Sequence, residues 1–233
     1  MKYHIVILLF FHLTNQAQSQ RSPAELLLDE SIQYHDPNGQ WLKFADSLII
    51  NQEVPGKPTR TTRMYLDIRK SKFSHSQLRH DTLFTQTVKN EDCSYRMNHQ
   101  PITATVAENL NLTCARSLML RNYYTYLYGL PMKLKDPGTI ILPDVERGKF
   151  NKQDVDVLKV NYDPSVGKDT WYFYFTTDTH ALIGYRFYHD ETKYDGEYII
   201  LEDEIVKHGI KIPSKRTWYV NYDNRLLGTD LLH

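Results

Sequence analysis

The feature that most constrains this chain lies beyond residue 139, where strand-like runs follow one another at hairpin distance. Val155 to Tyr162, Trp171 to Phe175, Ile183 to His189, Glu197 to Leu201, Lys211 to Tyr222 and Leu226 to Leu232 are rich in β-branched and aromatic residues. Between them stand turn formers: Asp163-Pro164-Ser165-Val166-Gly167, Thr177-Asp178, Tyr194-Asp195-Gly196, His208-Gly209 and Asp223-Asn224. None of these connections can hold the crossover helix that a parallel pair needs, so the strands must be antiparallel neighbours. Within one of them Trp171, Phe173 and Phe175 alternate with Tyr172 and Tyr174, which predicts cover on both faces.

The first half has the same grammar. A period of two from Trp41 to Asn51 ends at Pro55-Gly56-Lys57-Pro58, and Thr59 to Ile68, Lys72 to Arg79, Thr82 to Lys89 and Ser94 to Asn98 follow as a meander. Two helices interrupt the strands. Ser22-Pro23-Ala24-Glu25 is a capping box that opens a helix ending before Asp36-Pro37-Asn38-Gly39. Thr105-Val106-Ala107-Glu108 is a second one, opening a helix with the stripe Leu112, Ala115, Met119, Tyr123, Tyr126 and Leu130. Gly129 is placed as its C-terminal cap, and Pro131 prevents continuation. Tyr123, Tyr124, Tyr126 and Tyr128 crowd its last turns and bring more aromatic area than water tolerates. The predicted fold is α+β: about ten strands in a strongly bent antiparallel sheet, a half-open β-barrel, with an N-terminal helix and a mid-chain helix covering the concave face.

Residues 1–19 read as a secretory signal peptide, with Lys2, the apolar run Ile5 to Leu13 and Ala17-Gln18-Ser19 at the cleavage end. That leaves residues 20–233 as a single half-barrel domain, periplasmic or secreted and soluble. Its 27 basic and 28 acidic side chains give no nucleic-acid footprint. Cys93 and Cys114 are the only cysteines. A bridge between them closes a loop of about 20 residues and adds roughly 3 kcal/mol. The alternatives are two inert buried thiols, or chemistry for which no CxxC or Cys/His spacing speaks.

For catalysis the densest group is His189-Asp190-Glu191 with His180 one hairpin earlier. A hydrolase or metal-dependent enzyme would use His180, His189 and Glu191; His189 and Glu191, the two that can converge on one strand face, are alone one ligand short of a typical catalytic zinc site. Glu202-Asp203-Glu204 reads as a solvated strand end or an oxygen-ligand cation site. No GxSxG, HExxH, P-loop or GxGxxG occurs, and no cofactor, catalytic residue or metal ligand is assigned. The apolar residues carry more: Tyr123, Tyr126, Tyr128, Leu130, Met132, Trp171, Phe173 and Phe175 are the candidate ligand-binding set, either filling the concavity as core or lining its mouth. A purely structural envelope protein is a third reading.

The stretches ESIQYHDPNGQW, YYTYLYGLPMKLKDPGT, DTWYFYF, GYRFYHDE, DGEYIILE and LGTDLL resemble an uncharacterised family of exported proteins from Gram-negative bacteria of the Bacteroidota type. The lipid-anchor cysteine frequent in that family is missing here. The order of elements is also similar to the periplasmic lipoprotein carriers and receptors LolA and LolB. That similarity implies a concave face that binds acyl chains, a lipid or acylated protein as partner, and transient contact with the membrane or with envelope proteins. No residue carries over by number.

Overall fold

A computed structural model of the chain describes residues 21–233. The expected signal peptide at residues 1–19 lies outside the described residues. Helix α1, Pro23–His35, starts at the capping box: the Glu25 amide donates to the Ser22 hydroxyl, and the Ser22 amide donates to the Glu25 carboxylate. Its inner face buries Ala24, Leu27, Leu28, Ser31 and His35. His35 is wholly buried and ties three elements together, since Nδ1 lies 2.8 Å from the Lys211 carbonyl and Nε2 accepts from the Leu182 amide at 3.0 Å. Asp36 accepts from the Gln40 and Trp41 amides, which turns Trp41–Lys43 into one 3-10 turn instead of the start of a strand. The pair His35-Asp36 is therefore architectural.

Thirteen strands form one antiparallel sheet. The first six are β1 to β6: Ala45–Glu53, Arg60–Asp67, Lys72–Arg79, Thr82–Lys89, Asp92–Met97 and Gln100–Ile102. They march outward from β1 to β6, each paired with its predecessor. The other seven are β7 to β13: Thr139–Phe150, Gln153–Tyr162, Thr170–Thr176, Leu182–Tyr188, Glu197–Lys207, Ile210–Val220 and Leu226–Leu232. They march inward until β13 pairs with β1, Leu232 opposite Ile50. The sheet is thus left with two edges, β6 and β7, and the chain between them carries the two further helices. Helices α2, Ala104–Asn109, and α3, Cys114–Gly129, cross the opening from one edge to the other. The bent, unclosed antiparallel sheet with helices that the hairpin spacings predict is the fold that forms.

The corrections concern local geometry. The single mid-chain helix is two, because Asn111 is left-handed (φ +57), the Leu112 amide turns back to the Ala107 carbonyl, and Thr113 caps a new helix by accepting from the Arg116 amide. The first of the two is capped by Thr103, not Thr105. Gly129 is no left-handed cap. A Cβ there would overlap the indole of Trp41, so its lack of side chain serves close packing of α3 on the 3-10 turn. Glu202-Asp203-Glu204 does not end its strand; Asp203 takes a left-handed conformation (φ +53) with the register to β12 unbroken, and β11 runs on to Lys207.

Candidate functional site

The inner face of the sheet changes character along the strands. At one end Leu66, Phe73 and Val88 stand opposite one another in register, all buried. One pair further on are Met64, His75 and Gln86, then Thr62 and Gln77, and finally the run Arg60, Gln52, Asp230 and Arg216. The concavity is therefore apolar at one mouth and polar at the other.

Helix α3 lies over this gradient. Cys114, its first residue, is bonded to Cys93 on β5, so its amino end is held covalently to the sheet. Ser117 donates to the Gln86 side chain at 2.7 Å. Tyr124 stacks among Phe73, His75 and Tyr128, with centroids 5.9 to 6.4 Å away. At the carboxyl end, Arg216 presses its guanidinium on the Tyr128 ring, 4.0 Å from the centroid, and donates to the Pro213 carbonyl at 2.6 Å and to the Leu127 carbonyl at 3.5 Å.

At the apolar mouth is a cleft of about 600 Å³ between α3, the turn after Ile68 and the segment Lys133 to Thr139. Leu66, Ile68, Tyr126, Tyr162 and Val166 give it an apolar lining, and Lys72, Arg121 and Lys133 sit among its polar side chains. The Tyr126 and Tyr162 hydroxyls meet at the cleft. Both rings pack edge-on against Trp171, which stacks on Phe187 at 4.8 Å and on Phe173 at 6.1 Å. This pair of tyrosines thus lines the cleft on one side and touches the apolar interior on the other.

Of the sequence-predicted ligand residues, Tyr128, Leu130, Phe173 and Phe175 are buried, and Tyr126, Met132 and Trp171 pack half-buried against the same core. Tyr123 stands apart: it is 44 % exposed and lines a smaller pocket of about 240 Å³ at the polar mouth, with Glu197, Trp218 and Asp230. Tyr124 is the residue turned inward. The sequence stripe passed it over because the inward face runs Ser117, Tyr124, Leu127 and Tyr128 and carries a serine where an apolar residue was sought. Tyr162 and Arg216 were also missed, since each sits at a strand position that nothing local distinguishes.

The structure does not bring His180, His189 and Glu191 together. His180 faces Glu30 at 3.3 Å, His189 faces Asp169 at 2.8 Å, and Glu191 receives Lys159 and Tyr172. The strand between the two histidines, Leu182–Tyr188, spans about 20 Å. No three His, Cys, Asp or Glu side chains among the described residues are placed to hold a metal ion.

The buried polar row has a measurable signature. Burial lowers the His35 imidazole below its usual value and takes His75 down to about 4, so the unfolded chain takes these protons first and stability falls below about pH 6.5. Burial pushes Asp230 up to about 6, so here the folded chain takes the proton first. That contribution is present at low pH and is lost as pH rises through 6, opposing the histidines. Asp230→Asn is expected to deepen the loss of stability from pH 6.5 to 4.5 by about 2 kcal/mol. Urea unfolding of both proteins at the two pH values checks this, and an unchanged difference contradicts it.

A family model matches residues 2–232. The chain belongs to a family of unknown function, DUF6503. No curated protein matches the sequence of this DUF6503 chain. Its fold is similar to a LolA superfamily protein from Nitrosomonas europaea, at 13 % identity and a TM-score of 0.54, over 90 % of this chain and 91 % of that one. It is also similar to a putative outer membrane lipoprotein-sorting protein domain from Vibrio parahaemolyticus, with 11 % identity, TM-score 0.50 and coverage of 90 % and 91 %. A DUF1329 family protein from Desulfovibrio piger shares 8 % identity at a TM-score of 0.51, with 91 % and 92 % covered. The DUF6503 chain thus has a LolA-like fold. No helix among its described residues is long and apolar enough to cross a membrane.

Proposed function

We propose that this protein is a non-enzymatic carrier or binding protein for an apolar ligand, the acyl chain of a lipid or lipoprotein, and that it works in the periplasm of a Gram-negative cell. The observation that carries this reading is the cleft at the apolar mouth, whose wall includes the Tyr126–Tyr162 pair that packs directly on Trp171 of the core. Helix α3 is the moving cover. Its amino end is bonded to β5, while its carboxyl half is held by side-chain contacts, so an acyl chain enters as that half swings from the sheet. The LolA-like fold and the lipoprotein-sorting domain among its structural neighbours agree with a ligand on the concave face.

Losing one neutral hydrogen bond costs only about 0.5–1.5 kcal/mol, so Tyr126→Phe leaves the protein folded. Stopped-flow fluorescence with a fluorescent fatty acid is expected to show uptake several-fold faster than in the parent protein. No binding by either protein, together with no lipid found by mass spectrometry of gently purified material, would remove the proposal.

A further inference from the structure

The outer face of the same sheet carries a second aromatic layer that a ligand inside the concavity never meets. Side chains alternate, so with Trp171, Phe173, Tyr185 and Phe187 in the main core, Tyr172, Tyr174, Arg186 and Tyr188 project outward. Across five strands they form one row in register: Lys159, Tyr172, Arg186, Tyr198 and Tyr219. The cations lie on the rings, with Lys159 5.1 Å from the Tyr172 centroid and Arg186 5.0 Å from that of Tyr198. Phe150 folds back over Gly184, where a Cβ would collide with it, and stacks on Tyr174 at 4.0 Å.

The loop after β10 turns this layer into a pocket. Asp195 accepts from the His189 and Asp190 amides at 2.9 Å, Asp190 caps Thr192, and Tyr194 takes a left-handed conformation (φ +52) that lays its ring beside Tyr188. The result is a hollow of about 290 Å³ lined by Tyr172, Tyr174, Tyr188, Glu191 and Tyr194. That is near the lower end of small-molecule sites, about 300 Å³.

Its chemistry selects among ligands. A tyrosine-walled hollow with a carboxylate suits an organic cation in principle, but here Lys159 already pairs with Glu191 at 3.1 Å and Arg186 sits against Tyr194, so an incoming cation meets two like charges. A purely apolar ligand would bury phenol oxygens without partners. The Tyr188 and Tyr194 oxygens accept from Arg186 at 3.1 and 3.0 Å, and where one hydroxyl donates to the other a proton is still left to point at a ligand. Flat rings, outward donors and a neutralised carboxylate match a molecule with apolar C–H faces and hydroxyl edges. We infer that the pocket of Tyr172, Tyr174, Tyr188, Tyr194 and Glu191 on the outer face binds a sugar ring of a glycan chain.

The test is a titration of the isotope-labelled full-length mature protein with maltotetraose, cellotetraose and chitotetraose, read by amide chemical shifts. At least one sugar is expected to move the signals of residues 172–174 and 188–196 saturably at millimolar concentration, and the exposed substitution Tyr194→Ala to weaken that binding at least about tenfold. Fluorescent fatty acid uptake should be the same in Tyr194→Ala as in the parent, which separates this site from the concave one. The inference is overturned if no sugar gives saturable shifts up to roughly 10 mM, or if shifts persist unchanged in both Tyr194→Ala and Tyr172→Phe. It is equally overturned if only a polyproline peptide moves these signals.

Discussion

Replacing Arg216 with alanine is expected to lower the stability of the protein by about 3–5 kcal/mol, the loss that follows when one member of a buried polar group is removed. Arg216 is 2 % exposed and serves three masters: the Tyr128 ring, the Pro213 carbonyl and the last turn of α3 through the Leu127 carbonyl. It is also the cross-strand neighbour of Asp230, which is 5 % exposed and otherwise flanked by Gln52. Alanine leaves those carbonyls short of a donor, removes the nearby positive charge that favours the Asp230 carboxylate, and opens a cavity against Tyr128. For a chain of this size the loss corresponds to a drop in Tm of roughly 6 to 20 °C. Arg216→Met refills the volume without the charge, so it is expected to fall between the alanine variant and the parent. Urea unfolding at pH 7 decides the matter, and a shift under about 1 kcal/mol for Arg216→Ala would contradict this view of the buried row.

Phe173→Ala is expected to cost a similar 3–5 kcal/mol. Phe173 is fully buried at the centre of the main core, between Trp171 and Tyr185. Trp171 is only half-buried and faces the tyrosine pair at the mouth. Trp171→Ala is therefore expected to be less destabilising and to weaken fatty acid binding more strongly relative to its stability loss. Equal stability losses with fatty acid affinity untouched in Trp171→Ala would assign both rings to core packing alone.

The sheet was legible because hairpin spacing leaves few topologies, and the edges of most strands fell where Pro, Gly, Asn and Asp punctuate the chain. What the sequence did not yield depends on contacts between distant residues. Trp41 has a strand-like period on paper, yet Asp36 captures the amide next to it and the chain turns. Gly129 has the composition of a cap, but Trp41, 88 positions earlier in the chain, decides its role. The candidate site divided in the same way. Aromatic density marked α3 and β9, whereas the choice of Tyr124 over Tyr123 as the inward ring depends on the helix restarting at Thr113, a phase reset that a continuous stripe conceals. Arg216 and Asp230 gave no local sign, because a buried ion-bearing row exists only once β1, β12 and β13 are paired.

The central claim is that an apolar ligand passes the Tyr126–Tyr162 contact and lies under α3. Irradiation of the protein with a photoreactive fatty acid, followed by peptide mapping, tests it most directly. The predicted result is labelling of the peptides that carry Tyr126, Met132 and Trp171, competed away by unlabelled fatty acid. Labelling confined to outward-facing peptides such as the one carrying Tyr194, or labelling that unlabelled fatty acid does not reduce, would contradict it.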